Sequence, residues 1–375
     1  MSDSTIKVQQ RLNRFIRQSK QIMPPRVPRD DDLLSSFEIL PARYKGRQVN
    51  RVIIALSSRG CSLLHRPQGG CLHCGLINDG IINPVFDQGE LFTYFKERLK
   101  KFNFSGYPVL CIYTPGSFLD NLEIDEEIQY KIISLVVQKA ELKKIILESL
   151  PQFITEEKIK NLKSMLGSKE IEIAVGLDSQ ADLIRKICIN KNFSLKIFNR
   201  ACGLLKKREI PFSVFALLKP PFLTEQESIT DTIQTAKYAF KMGAAAVSIE
   251  PNTVQKNTFT WTLFQHKQYR PPWLWSIIEV IKNLPPELEI RIGGIVVYPQ
   301  ALQSAYNCPR CSTEFQHKIQ QFNLDQDRHI FENLDCICKK QWQDELRVNT
   351  RQLLERIDVI LQKLDAKDNH TIFTS

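Results

Sequence analysis

The stretch RVIIALSSRGCSLLHRPQGGCLHCGLINDG, residues 51–80, joins an apolar run to a loop that is rich in cysteine and glycine. Residues 51–58 are nearly continuous in apolar side chains, which is typical of a parallel strand buried on both faces. Three cysteines follow in the spacing C-x9-C-x2-C, at Cys61, Cys71 and Cys74. Four glycines lie around them, at Gly60, Gly69, Gly70 and Gly75. Because glycine permits close backbone approach, the stretch predicts a loop that wraps a bound metal group at the end of a buried strand.

Composition places the chain among globular proteins with one large domain. Of its 375 residues, 43% are hydrophobic and 25% are charged, and a chain of this length can form a domain of roughly 200–250 residues with smaller additions. No apolar run approaches the ~18–20 residues that span a bilayer, and the N-terminus lacks the apolar segment of a signal peptide. We therefore expect a cytoplasmic protein with no membrane partner, in which clustered cysteines bind metal rather than form disulfides.

The N-terminal segment is strongly basic. Residues 1–29 carry seven Lys and Arg against one Asp, which is more than half of the net charge of +10. Apolar residues recur there at nearly helical spacing, so residues 1–45 form a basic arm that begins with an amphipathic helix. Two interpretations stay open for this helix. It contacts phosphates through residues such as Arg11, Arg14 and Arg17, or it packs on the body of the protein.

The central part of the chain alternates apolar strand patterns with helical patterns. Seven strand-like segments span residues 51–58, 107–114, 143–149, 171–177, 210–218, 244–251 and 288–297. The helical patterns between them include residues 89–102, 123–140, 179–190 and 225–243. This rhythm over residues 46–300 predicts an α/β fold, a full or partial β/α barrel, with polar loops after successive strands as the place of the chemistry.

The first cysteine group has three thiols where a closed zinc site uses four ligands. Three thiolates hold three irons of a [4Fe–4S] cluster and leave the fourth iron for another ligand. The alternative is a zinc knuckle that takes His65 or His73 as its fourth ligand. The position of the loop after the first barrel strand favours the cluster.

The spacing C-x9-C-x2-C after a first barrel strand resembles the radical S-adenosylmethionine (SAM) superfamily, in the branch that includes the catalytic subunit of Elongator. Residues 218–233, 251–275 and 307–342 look like the family of radical enzymes of archaeosine biosynthesis in tRNA, and the likeness covers roughly residues 45–345. The resemblance implies a tRNA partner in which a 7-deazaguanine base carries a lysine joined through its side-chain nitrogen. It further implies cleavage of that carbon–nitrogen bond by a 5′-deoxyadenosyl radical, an external electron donor, and a partner enzyme that installs the lysine.

The resemblance also implies roles for residues at the strand ends. Cys61, Cys71 and Cys74 would hold the [4Fe–4S] cluster. The residues that would bind SAM are Thr114, Gly116, Ser117, Glu148, Asp178 and Ser179. The alternative for Asp178 and Ser179 is a cap on the next helix.

For the substrate, Lys219 and Arg270 would approach phosphate, and Trp273 with Trp275 would form a stacking platform for a flipped base. Two prolines before these tryptophans also fit the start of an ordinary core helix.

A second cysteine group reads C-x2-C-x24-C-x-C, at Cys308, Cys311, Cys336 and Cys338. Four thiolates suit a structural zinc ion, and a second iron–sulfur cluster is the alternative. We place this group in a cysteine-rich module at residues 301–375 that ends in a helix. The remaining cysteines, Cys111, Cys188 and Cys202, lie in apolar surroundings and are expected to be buried packing residues.

Two features separate the chain from the archaeosine family pattern. Residues 302–308 read LQSAYNC where the family has an Arg-Gly-Pro-His run, and Glu250 stands where the family has a neutral residue. The substrate could therefore be another nucleoside or a small molecule, or an Elongator-type uridine. A rival from a different class is a nucleic-acid-binding protein whose metal sites are purely structural.

Overall fold

The fold is described from a computed structural model of the chain. It describes residues 3–21, 34–67, 69–75, 87–294, 301–348 and 351–371. The strands are β1 Leu34–Tyr44, β2 Arg47–Leu56, β3 Val109–Tyr113, β4 Lys144–Ser149, β5 Glu170–Asp178, β6 Phe212–Leu218, β7 Ala246–Pro251 and β8 Glu289–Ile292. The helices are α1 Asp3–Gln21, α2 Gln88–Lys101, α3 Glu126–Val137, α4 Glu156–Met165, α5 Leu195–Lys207, α6 Glu225–Lys241, α7 Phe259–Gln265, α8 Leu274–Lys282, α9 Ser312–Asp325, α10 Cys338–Leu346 and α11 Leu353–Thr371.

All eight strands belong to one sheet whose order follows the chain. Strands β2 to β8 pair in parallel, whereas β1 pairs with β2 in antiparallel orientation. The helices between the strands cover the outer face and form the large apolar core with it. The prediction of a β/α barrel is confirmed in its partial form, because β1 and β8 lie at opposite edges of the sheet and do not pair with each other.

The seven segments with buried-strand patterns all form strands, although residues 295–297 of the last one lie outside the described part. Strand β1 was not predicted. It forms a hairpin with β2 through Lys45 and Gly46, which both have positive φ (49° and 77°), the geometry of a two-residue type I′ turn. A Lys-Gly pair between two extended runs is the signal that marks this hairpin in the sequence.

Of the predicted helices, residues 179–190 behave differently from the rest. Segments 89–102, 123–140 and 225–243 contain α2, α3 and α6. In residues 179–190 the named element is a short π-helix at Ile184–Cys188. Its cause is the buried side chain of Arg185, whose Nη1 donates to the carbonyl of Ser179 at 2.6 Å and whose Nε donates to the carbonyl of Phe193 at 3.1 Å. These bonds fold the segment around one guanidinium group.

The N-terminal helix packs on the C-terminal helix. Val8, Leu12 and Phe15 of α1 are buried in a second apolar cluster, which α7 and α11 share. Arg11 Nη1 lies 2.5 Å from Asp358 Oδ1, and Arg14 pairs with Asp365. The structure thus favours the packing interpretation of this helix for Arg11 and Arg14, while the side chain of Arg17 lies outside the described part. No helix in the described ranges has the length and apolar content needed to cross a membrane.

Helix α9 closes the open side of the sheet, since it packs against both β1 and β8. The side chain of Asn323 accepts from the backbone N–H of Ile292 at 2.7 Å and donates to its carbonyl at 2.8 Å. Gln326 does the same for Ile290, at 2.9 and 2.8 Å. Two amide side chains therefore replace a neighbouring strand and satisfy the backbone groups of the β8 edge.

This arrangement predicts that Asn323→Ala destabilises the protein by about 1–3 kcal/mol, because a backbone donor and acceptor of β8 lose their partners. Urea unfolding measures the effect. The matched control is Gln321→Ala, which removes an exposed amide from the same helix and should stay within about 0.5 kcal/mol of the wild type. Equal stabilities of the two variants would show that α9 does not support the β8 edge.

Candidate functional site

The candidate site is a cavity of about 590 Å³ inside the partial barrel. The loop that follows β2 brings Cys61, Cys71 and Cys74 to its wall. Across from them the cavity is lined by side chains from the ends of β3, β4, β5 and β7. Parallel strands of a β/α barrel end at one rim, which is why residues far apart in sequence meet here.

The cysteine loop is fixed by contacts at several points. The backbone N–H of Leu72 donates to the carbonyl of Ile189 at 3.0 Å, and the carbonyl of Leu72 accepts from the backbone N–H of Thr260 at 3.1 Å. The Leu72 side chain is buried in the apolar cluster that includes α1 and α11. The terminal helices therefore anchor the segment between two of the three cysteines.

Burial makes the thiols of Cys61 and Cys71 weak acids. It raises the pKa of Cys71 to about 12 and that of Cys61 well above its ordinary value. Such thiols ionise when a metal binds them, because the metal charge replaces the proton. His73 lines the same cavity as the three thiols, and burial lowers its pKa to about 4, so it is a neutral imidazole. His65 Nε2 lies 3.2 Å from the carbonyl oxygen of Arg59. Three thiols at one cavity wall fit a cluster with one open iron, and His73 is the residue that the zinc-knuckle alternative would use.

Gly116 allows the β3 loop to approach the cysteine loop. A Cβ at this position would lie 2.6 Å from Cys61 Cβ and 2.7 Å from Cys61 Sγ. Any side chain there would displace the first cysteine, so this glycine fits a cradle for a bound group.

The buried carboxylate of Glu123 holds the two loops together. Its Oε1 accepts from Gly116 N–H and from Ser58 Oγ, both at 2.9 Å, and its Oε2 accepts from Ser117 N–H at 2.6 Å. Burial raises the pKa of Glu123 to about 7, although these hydrogen bonds favour the charged form. No sequence motif reveals Glu123, because its partners are two backbone N–H groups and the Ser58 hydroxyl, which only the fold brings to it.

The predicted SAM-binding residues fall into two groups. Thr114, Gly116, Glu148 and Asp178 line the cavity. The hydroxyl of Ser117 instead accepts from the backbone N–H of Leu150 at 2.7 Å and so joins the ends of β3 and β4.

Ser179 is fully buried, and its hydroxyl donates to Asp231 Oδ1 at 2.8 Å and accepts from the backbone N–H of Ala181. Its hydroxyl therefore stabilises the turn after β5, whereas the capping position of the following helical turn is Leu183.

Asp178 is paired with a lysine that the sequence analysis did not identify. Lys191 Nζ lies 2.7 Å from Asp178 Oδ2, and both side chains are at most one-tenth exposed. Burial alone would lower the pKa of Lys191, but Asp178 and Cys71 raise it above its ordinary value. A positive charge therefore lies beside the cysteine group. It was missed because residues 189–193 carry no local motif.

None of the four predicted substrate residues is among the described residues that line this cavity. Trp273 and Trp275 are 3% and 5% exposed, so neither presents a ring face for stacking on a base. The guanidinium of Arg270 lies 3.9 Å from the Trp273 ring centre and is held inside the protein. Lys219 pairs with buried Glu225. Proline before tryptophan starts a core helix here, as the alternative interpretation held.

These residues connect the barrel to the second cysteine group. Glu225 accepts from the backbone N–H of Trp273 at 2.9 Å and from Ser276 Oγ at 2.5 Å. Trp275 Nε1 donates to Cys338 Sγ at 3.4 Å. The tryptophans thus stabilise the cysteine-rich module rather than a substrate.

The second cysteine group has the geometry of a single-ion site. The sulfur atoms of Cys308, Cys311, Cys336 and Cys338 all lie within 4.8 Å of one another. Three of the distances are 3.5 Å for Cys308–Cys336, 3.6 Å for Cys311–Cys338 and 3.7 Å for Cys308–Cys311. Zn–S bonds of about 2.3 Å in a tetrahedron give sulfur–sulfur distances of roughly 3.8 Å. The spacing fits one tetrahedral ion better than a second cluster.

We predict that the purified protein contains about one zinc ion per chain and that Cys311→Ala removes it, because a structural zinc site needs four ligands. Metal analysis by mass spectrometry measures this. The control is Cys202→Ala, which changes a buried cysteine remote from both groups. Zinc that persists in Cys311→Ala, or iron bound at these four thiols, would contradict the assignment.

A second prediction concerns Glu148. Burial raises its pKa to about 8, and the nearby carboxylate of Glu123 adds to the shift. Since its pKa in an unfolded chain is about 4.3, the stability that its protonated form contributes is present below that value and is lost as the pH rises toward 8. The difference in unfolding free energy between Glu148→Gln and the wild type should therefore grow by at least ~1 kcal/mol from pH 5 to pH 9.

Urea unfolding at the two pH values tests this, with Glu141→Gln as the control at an exposed position just before β4. A difference that stays constant with pH for Glu148→Gln, as expected for the control, would show that Glu148 ionises normally in the folded protein.

Comparisons with known proteins identify relatives of this chain. The chain is 32% identical over 306 residues to the archaeosine synthase subunit beta of Methanosarcina acetivorans, covering 81% of this chain and 87% of that protein. It is 29% identical over 261 residues to the subunit of the same name from Thermococcus kodakarensis, with 68% and 80% covered. An uncharacterized protein of Methanocaldococcus jannaschii is 31% identical over 342 residues, with 88% and 89% covered.

No protein-family model matches the chain. Among solved structures, Elp3 of Methanocaldococcus infernus with its N-terminus deleted has a TM-score of 0.45 at 17% identity, over 65% of this chain and 60% of that one. At this similarity the solved structure gives no basis for assigning the fold, which the strand order of this chain shows directly. By the identity and coverage of its relatives, the chain belongs to the archaeosine synthase beta-subunit family.

Proposed function

We propose that the protein is a radical SAM enzyme of archaeosine biosynthesis that cleaves a carbon–nitrogen bond in a lysine-adduct 7-deazaguanine of tRNA. The observation that carries this proposal is the group Cys61, Cys71 and Cys74, which the loop after β2 brings to the wall of the barrel cavity beside Gly116. Relatives of the chain that bear the name archaeosine synthase subunit beta support the choice of pathway.

In this proposal Cys61, Cys71 and Cys74 hold a [4Fe–4S] cluster, and SAM occupies the adjoining part of the cavity. When bound, the cluster supplies the electron that splits SAM into methionine and a 5′-deoxyadenosyl radical. Lys191 places a positive charge next to Cys71, which offsets part of the negative charge of three thiolates. Asp178 keeps that lysine in position.

The role of the strand ends is to bind and orient SAM. Thr114 and Gly116 form the wall next to Cys61, and Glu148 faces the same space from β4. A carboxylate there would attract the cationic amino and sulfonium groups of SAM, and their positive charge would favour ionised Glu148. Ser117 and Ser179 act indirectly, because their hydroxyl groups fix the loops that carry these residues.

The cavity wall would also limit side reactions, since a radical held there meets chiefly the groups that the barrel presents. The substrate nucleoside would enter from the rim at which the strands end, where chemistry is located in β/α barrels. Partners in this proposal are tRNA, an external electron donor and the enzyme that installs the lysine. The relatives' designation as a beta subunit supports a complex with a second protein.

The rival function, a nucleic-acid-binding protein with structural metal sites, accounts for the four-thiolate group. At the first group, a structural zinc site would need His73 as its fourth ligand. It would also not need a cavity of about 590 Å³ beside the thiols. A radical SAM enzyme for another nucleoside stays as the closer alternative, because Glu250 faces the cavity.

The test of the proposed function uses tRNA whose 7-deazaguanine carries lysine with deuterium on the carbon that bears the side-chain nitrogen. We expect reduced, cluster-loaded protein to transfer deuterium to 5′-deoxyadenosine and to leave an amidine on the base, because the radical removes hydrogen from that carbon. Mass spectrometry of both products measures this. Cys71→Ala should lose the iron of the first group and all deoxyadenosine formation, whereas Cys202→Ala should retain both.

The possible outcomes separate the alternatives. Deoxyadenosine without deuterium, together with unchanged tRNA, would reject the archaeosine substrate and leave a radical SAM enzyme of another specificity. Iron retained in Cys61→Ala, Cys71→Ala and Cys74→Ala, with no deoxyadenosine under any condition, would reject the radical chemistry and favour the binding protein.

A further inference from the structure

Several charged side chains in the cavity are already paired within the protein. Lys191 and Asp178 form the ion pair beside the cysteines. Deeper in the barrel, Glu172 accepts from Lys144 Nζ at 2.5 Å and from Arg291 Nη1 at 2.7 Å. Burial opposes ionisation of Glu172, but the two cations lower its pKa to about 2. Arg291 Nε also lies 2.9 Å from Glu289 Oε1, so two cations and two carboxylates balance one another in this second group. Neither group leaves a net charge for a ligand to neutralise.

Arg51 differs from these paired cations. Its guanidinium group lies in the cavity wall near Cys111 and Tyr113. The Nε atom is buried and has no hydrogen-bond partner, and within the ranges that the structure describes Arg51 forms no ion pair with a carboxylate. A half-buried arginine without a carboxylate costs free energy unless a ligand supplies the missing acceptor.

Glu250 is an acidic side chain in the same cavity that forms no ion pair in the described part of the chain. It faces the same cavity from β7, and its Oε1 accepts from Ser248 Oγ at 2.7 Å. Burial raises its pKa to about 7, while Arg51 acts in the opposite direction and so lies close enough to influence it.

Gly293 leaves room for the Glu250 carboxyl group. A Cβ at this position would lie 2.0 Å from Glu250 Oε2, which is closer than any side chain can approach. The end of β8 therefore accommodates a carboxyl group that points into the cavity and has no cation to meet it.

An unpaired guanidinium and an unpaired carboxyl group in one cavity are complementary to a zwitterion. Guanidinium groups bind carboxylates through two parallel hydrogen bonds, and a carboxylate accepts hydrogen bonds from an ammonium group. We propose that Arg51 binds the α-carboxylate, and Glu250 the α-ammonium, of the amino acid attached to the substrate base. This inference rests on the proposed function and adds a recognition site for the free end of the lysine.

In this proposal the lysine substituent of the base runs from the rim of the barrel toward its interior. The base would stay at the rim, the lysine side chain would pass the SAM site, and its charged end would reach the interior of the barrel. Held at both ends, the carbon next to the side-chain nitrogen would be kept in a fixed position, which is what a selective hydrogen abstraction requires. Arg51 and Glu250 are thus positioning and specificity residues.

The test compares three tRNA substrates that differ only in the amine joined to the base: lysine, cadaverine, which lacks the α-carboxylate, and 6-aminohexanoate, which lacks the α-amine. For the wild type we expect kcat/KM to fall about 10–100-fold with either truncated substituent, because each leaves one buried charge without its partner. Arg51→Met should abolish the preference for lysine over cadaverine and keep the preference over 6-aminohexanoate. Glu250→Gln should show the opposite pattern.

Three controls keep the result specific. Arg98→Met removes an exposed arginine from the outside of α2 and should leave all three rates unchanged. Arg51→Lys keeps a positive charge and should restore part of the preference for lysine over cadaverine. Equilibrium dialysis should show unchanged SAM binding in the Arg51 and Glu250 variants.

Loss of SAM binding, or an equal fall of all three rates in Arg51→Met, would overturn the inference, because Arg51 would then serve SAM or the fold. If the wild type converts all three substrates equally well, the recognition site is rejected and the proposed function stands. If it converts none of them, the proposed function fails and this inference fails with it.

Discussion

The buried carboxylate of Glu123 is the interaction on which the candidate site depends most. It accepts hydrogen bonds from the loop after β3, through Gly116 and Ser117, and from Ser58 at the start of the cysteine loop. Two loops that leave neighbouring strands are thereby held in contact. Gly116 makes this contact possible, because a Cβ there would overlap Cys61. The position of the first cysteine therefore follows from one buried carboxylate and one missing side chain.

A partial barrel leaves the backbone of its last parallel strand, β8, without a neighbouring strand on one side. Asn323 and Gln326 on α9 satisfy that edge with their amide groups. Helix α9 begins directly after Cys311, so the four-thiolate group and the closure of the sheet are parts of one structure. The buried network from Glu225 through Ser276 and the tryptophans joins the same module to α6 and α8.

The charges inside the barrel are arranged in layers. Near the cysteines, Lys191 and Asp178 neutralise each other, and in the interior Glu172 is neutralised by Lys144 and Arg291. Between them stand Glu148, Glu250 and Arg51, none of which has an ion-pair partner within the described ranges. Paired charges largely cancel each other, so a bound ligand interacts mainly with the unpaired side chains. In a site of low dielectric constant this interaction is stronger than in water.

The sequence by itself determined the seven parallel strands, the two cysteine groups and the loops that face one rim. Apolar continuity, cysteine spacing and strand-to-helix rhythm are local properties of the chain, and local patterns reveal them. Only the tertiary structure decided which polar residues meet. Trp273, Trp275, Arg270 and Lys219 look like substrate residues in sequence, yet their partners Glu225, Tyr306 and Glu345 lie elsewhere in the chain and hold them inside the protein. Glu123, Lys191 and Arg51 carry no motif and gain their importance from groups that the fold brings to them. Burial and charge pairing depend on long-range packing, and the order of residues along the chain does not record them.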